Sequence, residues 1–169
     1  ITDRKKAEAR VMRLAQHDAL TDLPNRALLE SRLTQALREA TRRHRRVAVM
    51  FIDLDRFKTI NDTLGHATGD QLLIEVGRRL TSVCRPRDLL ARLGGDEFVL
   101  LLGDIDHLDD VTAVAERVLS VLREPVRLER YELTATPSIG ISTFPDDGED
   151  GATLLKHADV AMYNAKGMG

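Results

Sequence analysis

The run at residues 47–52 is apolar without a break and leads straight into Asp53-Leu54-Asp55. A short continuous apolar run is the pattern of a buried strand, because a half-exposed strand would alternate. A buried strand needs neighbours in its sheet and helices over it. Residues 89–93 and 97–102 are strand-like and meet at Gly94-Gly95, which signals a hairpin. Residues 126–128 and 131–133 suggest a smaller hairpin, and Ile139-Gly140-Ile141 sits in a further strand, where Pro137 is awkward because proline belongs at sheet edges, strand starts or bulges. Helical spacing of apolar residues marks 2–16, a helix from the Asn25 cap to about Arg43, two stretches at 55–63 and 69–83 separated by Gly65 and Gly69, then 107–122 and 151–166. The order ααβααββαβ(β)βα implies an α+β fold, a sheet covered by helices.

A length of 169 residues fits one domain, here residues 17–169, led in by a charged helix at 1–16. A formal net charge of -2 argues against a general nucleic-acid binder. The basic stretch Arg42-Arg43-His44-Arg45-Arg46 has no interleaved aromatic residues and reads as a solvated helix end. The single cysteine, Cys84, reads as a buried, inert thiol in a reducing compartment. No apolar run approaches the ~18 residues needed to span a bilayer, and the N-terminus lacks a signal-peptide pattern. The chain begins at Ile1 and ends at Gly169, and is read as a piece of a longer protein.

Three groups of residues carry chemistry. Asp53 and Asp55 stand two apart at a strand end, so they share a side if the strand continues and diverge if the chain turns after Leu54. Carboxylates so placed commonly hold hard cations. Asp55 also reads as the cap of the following helix, the plainer assignment for it, whereas Asp53 has no cap to make. Gly94-Gly95 permits a tight turn with positive φ, and Asp96-Glu97 follows at once. Adjacent like charges are unfavourable without a compensating cation or donors. If the hairpin lies beside the Asp53 strand, Asp53, Asp96 and Glu97 converge as two-Mg²⁺ phosphoryl transfer requires. Asn61, Gly65, His66, Gly69 and Asp70 form the third group. An amide and a carboxylate together can read a guanine edge; as an isolated pattern, Asn61 and Asp70 read better as helix caps around a glycine loop.

Gly94-Gly95-Asp96-Glu97-Phe98 resembles the signature of the GGDEF family of diguanylate cyclases. So do Asp18-Ala19-Leu20-Thr21-Asp22-Leu23-Pro24-Asn25-Arg26, Asp53-Leu54-Asp55-Arg56-Phe57-Lys58, the 61–70 segment, Ser138-Ile139-Gly140-Ile141-Ser142 and the 158–166 segment, in order along residues 17–169. The resemblance implies a palm-like, nucleotidyl-cyclase-like fold with a ferredoxin-like core: a central five-stranded, mostly antiparallel sheet wrapped by helices. It implies Mg²⁺ or Mn²⁺ held by Asp53, Asp96 and the Leu54 carbonyl, with Asp96 helping to deprotonate a 3′-hydroxyl and Glu97 close by. Asn61 and Asp70 would hold guanine with His66 nearby, and Lys58 and Lys166 would reach the phosphates. The family arginine four residues past Lys166 would fall beyond Gly169. Arg85 and Asp88 fit the family's inhibitory Arg-x-x-Asp site for cyclic di-GMP, a pattern that by itself also describes a surface salt bridge.

The implied activity is condensation of two GTP into cyclic di-GMP and two pyrophosphates across an antiparallel homodimer, with product inhibition. The rival is a catalytically silent module that binds GTP or cyclic di-GMP; a different palm-type nucleotidyl transferase is a second. The N-terminal segment resembles the exit of a PAS sensor domain. The expected place is the cytoplasm, in a parent protein that can be membrane-attached.

Overall fold

The computed structural model describes residues 2–168, the side chain of Met168 excepted. The elements run α1 (Thr2–Gln16), α2 (Arg26–Arg43), β1 (Arg46–Leu54), α3 (Phe57–Leu64), α4 (His66–Val83), β2 (Leu89–Gly94), β3 (Glu97–Ile105), α5 (Leu108–Arg123), β4 (Val126–Leu128), β5 (Tyr131–Leu133), β6 (Pro137–Phe144) and α6 (Gly151–Met168). The main sheet has the order β2-β3-β1-β6, and its neighbours are antiparallel. With helices crossing between β1 and β2 and between β3 and β6, this is a split β-α-β arrangement.

β1 sorts the core. Val47, Val49 and Phe51 pack with Leu29, Leu33 and Leu37 of α2 and Leu154, Ala158 and Met162 of α6. Ala48, Met50, Ile52 and Leu54 pack with Leu72, Val76 and Leu80 of α4 and Val111, Val114 and Val118 of α5. A strand alternates its side chains between faces, so helices on both faces demand an apolar residue at every position. Each large side chain fully buried this way contributes about 1.5–3 kcal/mol. The alternation also fixes the site: Asp53 follows Phe51 onto the α6 side.

The sheet corrects one expectation. It has four strands, not five, because β4 and β5 are three residues each and pair only with one another. Too short to extend the main ladder, they form a separate ribbon anchored by the buried Val126. Pro137 is accommodated as the first residue of an edge strand, where a missing N–H is tolerated. Gly65, at φ +94°, is the whole break between α3 and α4, so Gly69 lies within α4 and separates nothing. Arg42 and Arg43 are exposed as expected of a helix end, but Arg45 reaches Asp104 at 2.7 Å and Arg46 reaches Asp146 at 3.1 Å.

α1 contributes no buried residue; Val11, Met12 and Leu14 are all exposed. It is tied to the body at its end, where Asn25 donates from its backbone to Gln16 and from Nδ2 to Ala15, each at 2.9 Å. Asn25 also caps α2, its Oδ1 accepting from the Leu28 N–H at 3.1 Å. Among the described residues no helix is long and apolar enough to cross a membrane.

Candidate functional site

The antiparallel register puts Asp53 opposite Glu97. Residues opposite one another share a face, so the carboxylate at the end of β1 and the one that opens β3 lie together, with Asp96 in the turn beside them. Lys166, near the end of α6, closes the group with Nζ 2.8 Å from Asp53 Oδ2. Asp53, the adjacent Asp96 and Glu97, and Lys166 are thus gathered from three separate places in the chain; Leu54, next to Asp53, is buried.

The cluster is under electrostatic load. Asp96 is pushed up to about 7, first by burial and then by a hydrogen bond to, and the charge of, Asp53. Burial, then Asp53 and Asp159, raises Glu97 above the ordinary carboxyl range, while Arg26 and Lys166 pull the other way. Burial works against the Lys166 ammonium, but the Asp53 hydrogen bond and the charges of Asp53, Asp96 and Asp55 outweigh it and raise its pKa. Asp53 Oδ1 is buried and has no hydrogen-bond partner. A buried carboxylate oxygen without a partner is unusual and calls for a missing donor or cation.

A hard divalent ion fits these donors. Among the described residues no three His, Cys, Asp or Glu side chains form a ready cage. An ion here would therefore need a backbone carbonyl, water and substrate phosphate to complete its shell, which is how Mg²⁺ is usually bound.

Asp55 does not cap α3. Its Oδ1 accepts from Ser138 Oγ at 2.6 Å, and the cap position falls to Arg56, at φ +60°, without a side-chain bond. Asp55 and Lys166 border an open cavity of about 780 Å³ with Arg56, Thr59, Thr134 and Thr136.

Asn61 lies on α3 and packs against Gly69 of α4: a Cβ added at Gly69 would stand 1.8 Å from Asn61 Oδ1. The cap reading fails here as well, because α4 begins without a side-chain cap and Asn61 Oδ1 is buried without a partner. Asp70, after Gly69, is exposed, as are His66 and, on α3, Lys58. Asn61 and Asp70 are thus neighbours through Gly69; Lys58 and His66 stand at the surface.

Arg85 and Asp88 are closed on each other. Arg85 donates from Nε to Asp88 Oδ2 at 3.1 Å, from a terminal nitrogen to Oδ1 at 3.0 Å, and from its backbone N–H to Oδ2 at 2.8 Å. The Asp88 side chain is 0% exposed and that of Arg85 34%. The ion pair that the bare Arg-x-x-Asp pattern also describes is therefore present, but buried on its acidic side. Behind it Cys84 is half-buried, its thiol pushed up to about 11 by burial and then by Asp88.

Sequence reasoning missed Arg92. One of its terminal nitrogens donates to both carboxylate oxygens of Asp18, at 2.8 and 2.9 Å, and its Nε donates to the Gly95 carbonyl at 3.0 Å. Asp18 and Arg92 are 74 residues apart, and no local pattern pairs them.

The sequence model of the family described as "Diguanylate cyclase, GGDEF domain" matches residues 15–169. MucR of Pseudomonas aeruginosa, described as a bifunctional diguanylate cyclase/cyclic di-GMP phosphodiesterase, is 46% identical over 168 residues, 99% of this chain and 24% of that protein. The solved structure of TpbB from P. aeruginosa comprising only the GGDEF domain aligns with a TM-score of 0.88 at 44% identity over 90% of each chain. The coiled coil and GGDEF domain of DgcB from Caulobacter crescentus, solved in complex with cyclic di-GMP, gives a TM-score of 0.89 at 26% identity over 99% of this chain and 89% of that one. The chain spans 24% of the length of MucR and 35% of that of TpbB.

Proposed function

The chain belongs to the GGDEF family of diguanylate cyclase domains, and from that premise we propose that it joins two GTP molecules into cyclic di-GMP, releasing two pyrophosphates. The observation that carries the reading is the convergence of Asp53, Asp96 and Glu97 with one carboxylate oxygen buried and unpartnered. A purely structural cluster would have its polar atoms satisfied.

Asp53, Asp96 and the Leu54 carbonyl would hold Mg²⁺ or Mn²⁺, which when bound supplies charge neutralisation at phosphate oxygens. Asp96, pushed up to about 7 by burial and by Asp53, is suited to accept the proton of a 3′-hydroxyl near neutral pH, and Glu97, raised by burial and neighbouring acids, stands beside it. The new bond joins that oxygen to the α-phosphorus of the facing GTP as the bond to pyrophosphate breaks. Lys166 and Lys58 balance phosphate charge. Asn61, whose amide oxygen is buried and free, takes guanine N–H groups together with Asp70, and His66 borders them. A chain that binds one GTP holds half of each ring closure, so the active species is an antiparallel homodimer, brought together through α1 and an upstream sensor of PAS type. The antiparallel sheet with acids at a strand end and in the adjoining turn supports a palm-like active centre. The complex of DgcB with cyclic di-GMP supports product binding here too; Arg85 and Asp88 would hold it, with Arg85 turning part of its guanidinium from Asp88 to the ligand.

The test is chromatography of the products formed from GTP and Mg²⁺ at high protein concentration. Cyclic di-GMP appears with the wild-type chain and is lost in a folded Asp96→Ala variant. Unchanged turnover in that variant overturns the assignment. Binding of GTP or cyclic di-GMP without product identifies a silent regulatory module instead.

A further inference from the structure

The two glycines of the turn that carries Asp96 face open space on their Cβ side. Gly94 has φ +144° and Gly95 φ +48°, and a Cβ built on either would meet no atom within 4 Å. The β2–β3 pairing is also irregular between Arg92 and Gly94. A side chain reaches the turn at the Gly95 carbonyl, the guanidinium of Arg92 in β2, and that guanidinium is in turn held by Asp18 from outside the hairpin.

Arg92 has little freedom of its own: its side chain is 12% exposed and that of Asp18 17%. Besides the Asp18 and Gly95 bonds, its backbone N–H donates to the Pro24 carbonyl at 3.0 Å. Asp18 is held in turn by the Thr21 N–H at 2.9 Å and hydroxyl at 2.7 Å. Burial opposes its charge, but these bonds and Arg92 outweigh that and hold its carboxyl below the ordinary value. Through Asn25 the same segment grips the last carbonyls of α1. One contiguous set of bonds therefore runs from the end of α1 to the carbonyl one residue before Asp96.

We infer that Arg92 is a positioning residue for the proposed reaction, holding the Gly94-Gly95 turn, and with it Asp96, in register with the junction between α1 and α2. The inference rests on the cyclase reading. Only a planar guanidinium has donors set to reach Asp18 and Gly95 together; a lysine offers a single charged point and satisfies one of them. A misplacement on the order of 1 Å at a reacting group lowers a rate by about 10²-fold, so the effect falls on kcat rather than on GTP binding, which the Asn61 side of the site governs.

The experiment compares Arg92→Lys and Asp18→Asn with the wild-type chain, by steady-state kinetics and by hydrogen–deuterium exchange of the peptide spanning residues 93–98. Both variants are expected to lose kcat by about tenfold or more with KM for GTP unchanged within about twofold, and to exchange faster in 93–98 while β1 and β6 keep their protection. Unchanged kcat, a rise in KM that accounts for the loss, or faster exchange spread through the whole sheet overturns the positioning role. A wild-type chain that makes no cyclic di-GMP overturns the cyclase reading by itself; the exchange comparison then decides whether Arg92 holds the turn.

Discussion

Two acid–base groups in this chain are built from similar parts and end in opposite states. Around Asp88 everything is satisfied: both oxygens are taken by Arg85, and the carboxylate is sealed from solvent. Around Asp53 one oxygen has Lys166, the other has nothing, and two further acids crowd in. Removing one partner from a closed buried pair damages the fold, because an uncompensated charge stays behind. Removing a charge from an overcrowded acidic group relieves the fold and damages only what the group was assembled to bind. An unfinished polar cluster points outward to a ligand; a finished one points inward to the structure.

The sharpest way to break this contrast is Asp53→Asn. Turnover is expected to fall by about 10³-fold, and the rise in melting temperature on adding Mg²⁺ should vanish, while the fold is no less stable than the wild type. A variant that melts far lower but turns over normally once folded would show Asp53 to be a structural acid.

Arg85→Ala is the mirror experiment. Stranding Asp88 is expected to cost about 2–3 kcal/mol in urea unfolding, below the range for fully buried pairs because Arg85 is partly exposed. The double variant Arg85→Ala/Asp88→Ala should recover part of that loss. A single variant as stable as the wild type would show that the pair is worth no more than a surface bridge.

The smallest effect is read at Cys84, which borders the closed pair. A thiol raised from 9.0 to about 11 is almost wholly protonated at pH 8, and should alkylate about 10²-fold more slowly than an unhindered thiol. Its contribution to stability follows the same shift: the folded pKa lies above the unfolded value, so the contribution is complete below pH 9 and lost as pH rises through 11. Alkylation at the rate of a free thiol would mean that the region around Asp88 opens readily.

Much of the fold was legible because it is written locally. The unbroken apolar run announced β1, Gly94-Gly95 announced the hairpin, and the ribbon at 126–133 appeared where the two short strand-like segments suggested it. Legibility failed where a residue's role depends on a distant partner. Asp55 reads as a cap until Ser138, 83 residues away, takes its oxygen. Gly69 reads as a helix breaker until Asn61 is found occupying the space of its missing Cβ. The five-stranded sheet that the resemblance implied differs for another reason: the strands at 126–128 and 131–133 were visible in the pattern, but a pattern does not say which neighbour a strand pairs with.

The sequence by itself determined the kinds of residue available to the site, the order of helices and strands, and, through its motifs, the family. Periodicity and turn chemistry act over a few residues, so they survive in a linear reading. Only the tertiary structure decided that Asp53 stands opposite Glu97, that Lys166 closes on Asp53, and that Arg92 joins the α1 junction to the Asp96 turn. Each of these is a choice of register or packing between segments far apart in the chain. It is fixed by burying both faces of β1 at once, a condition that no local window of the sequence contains.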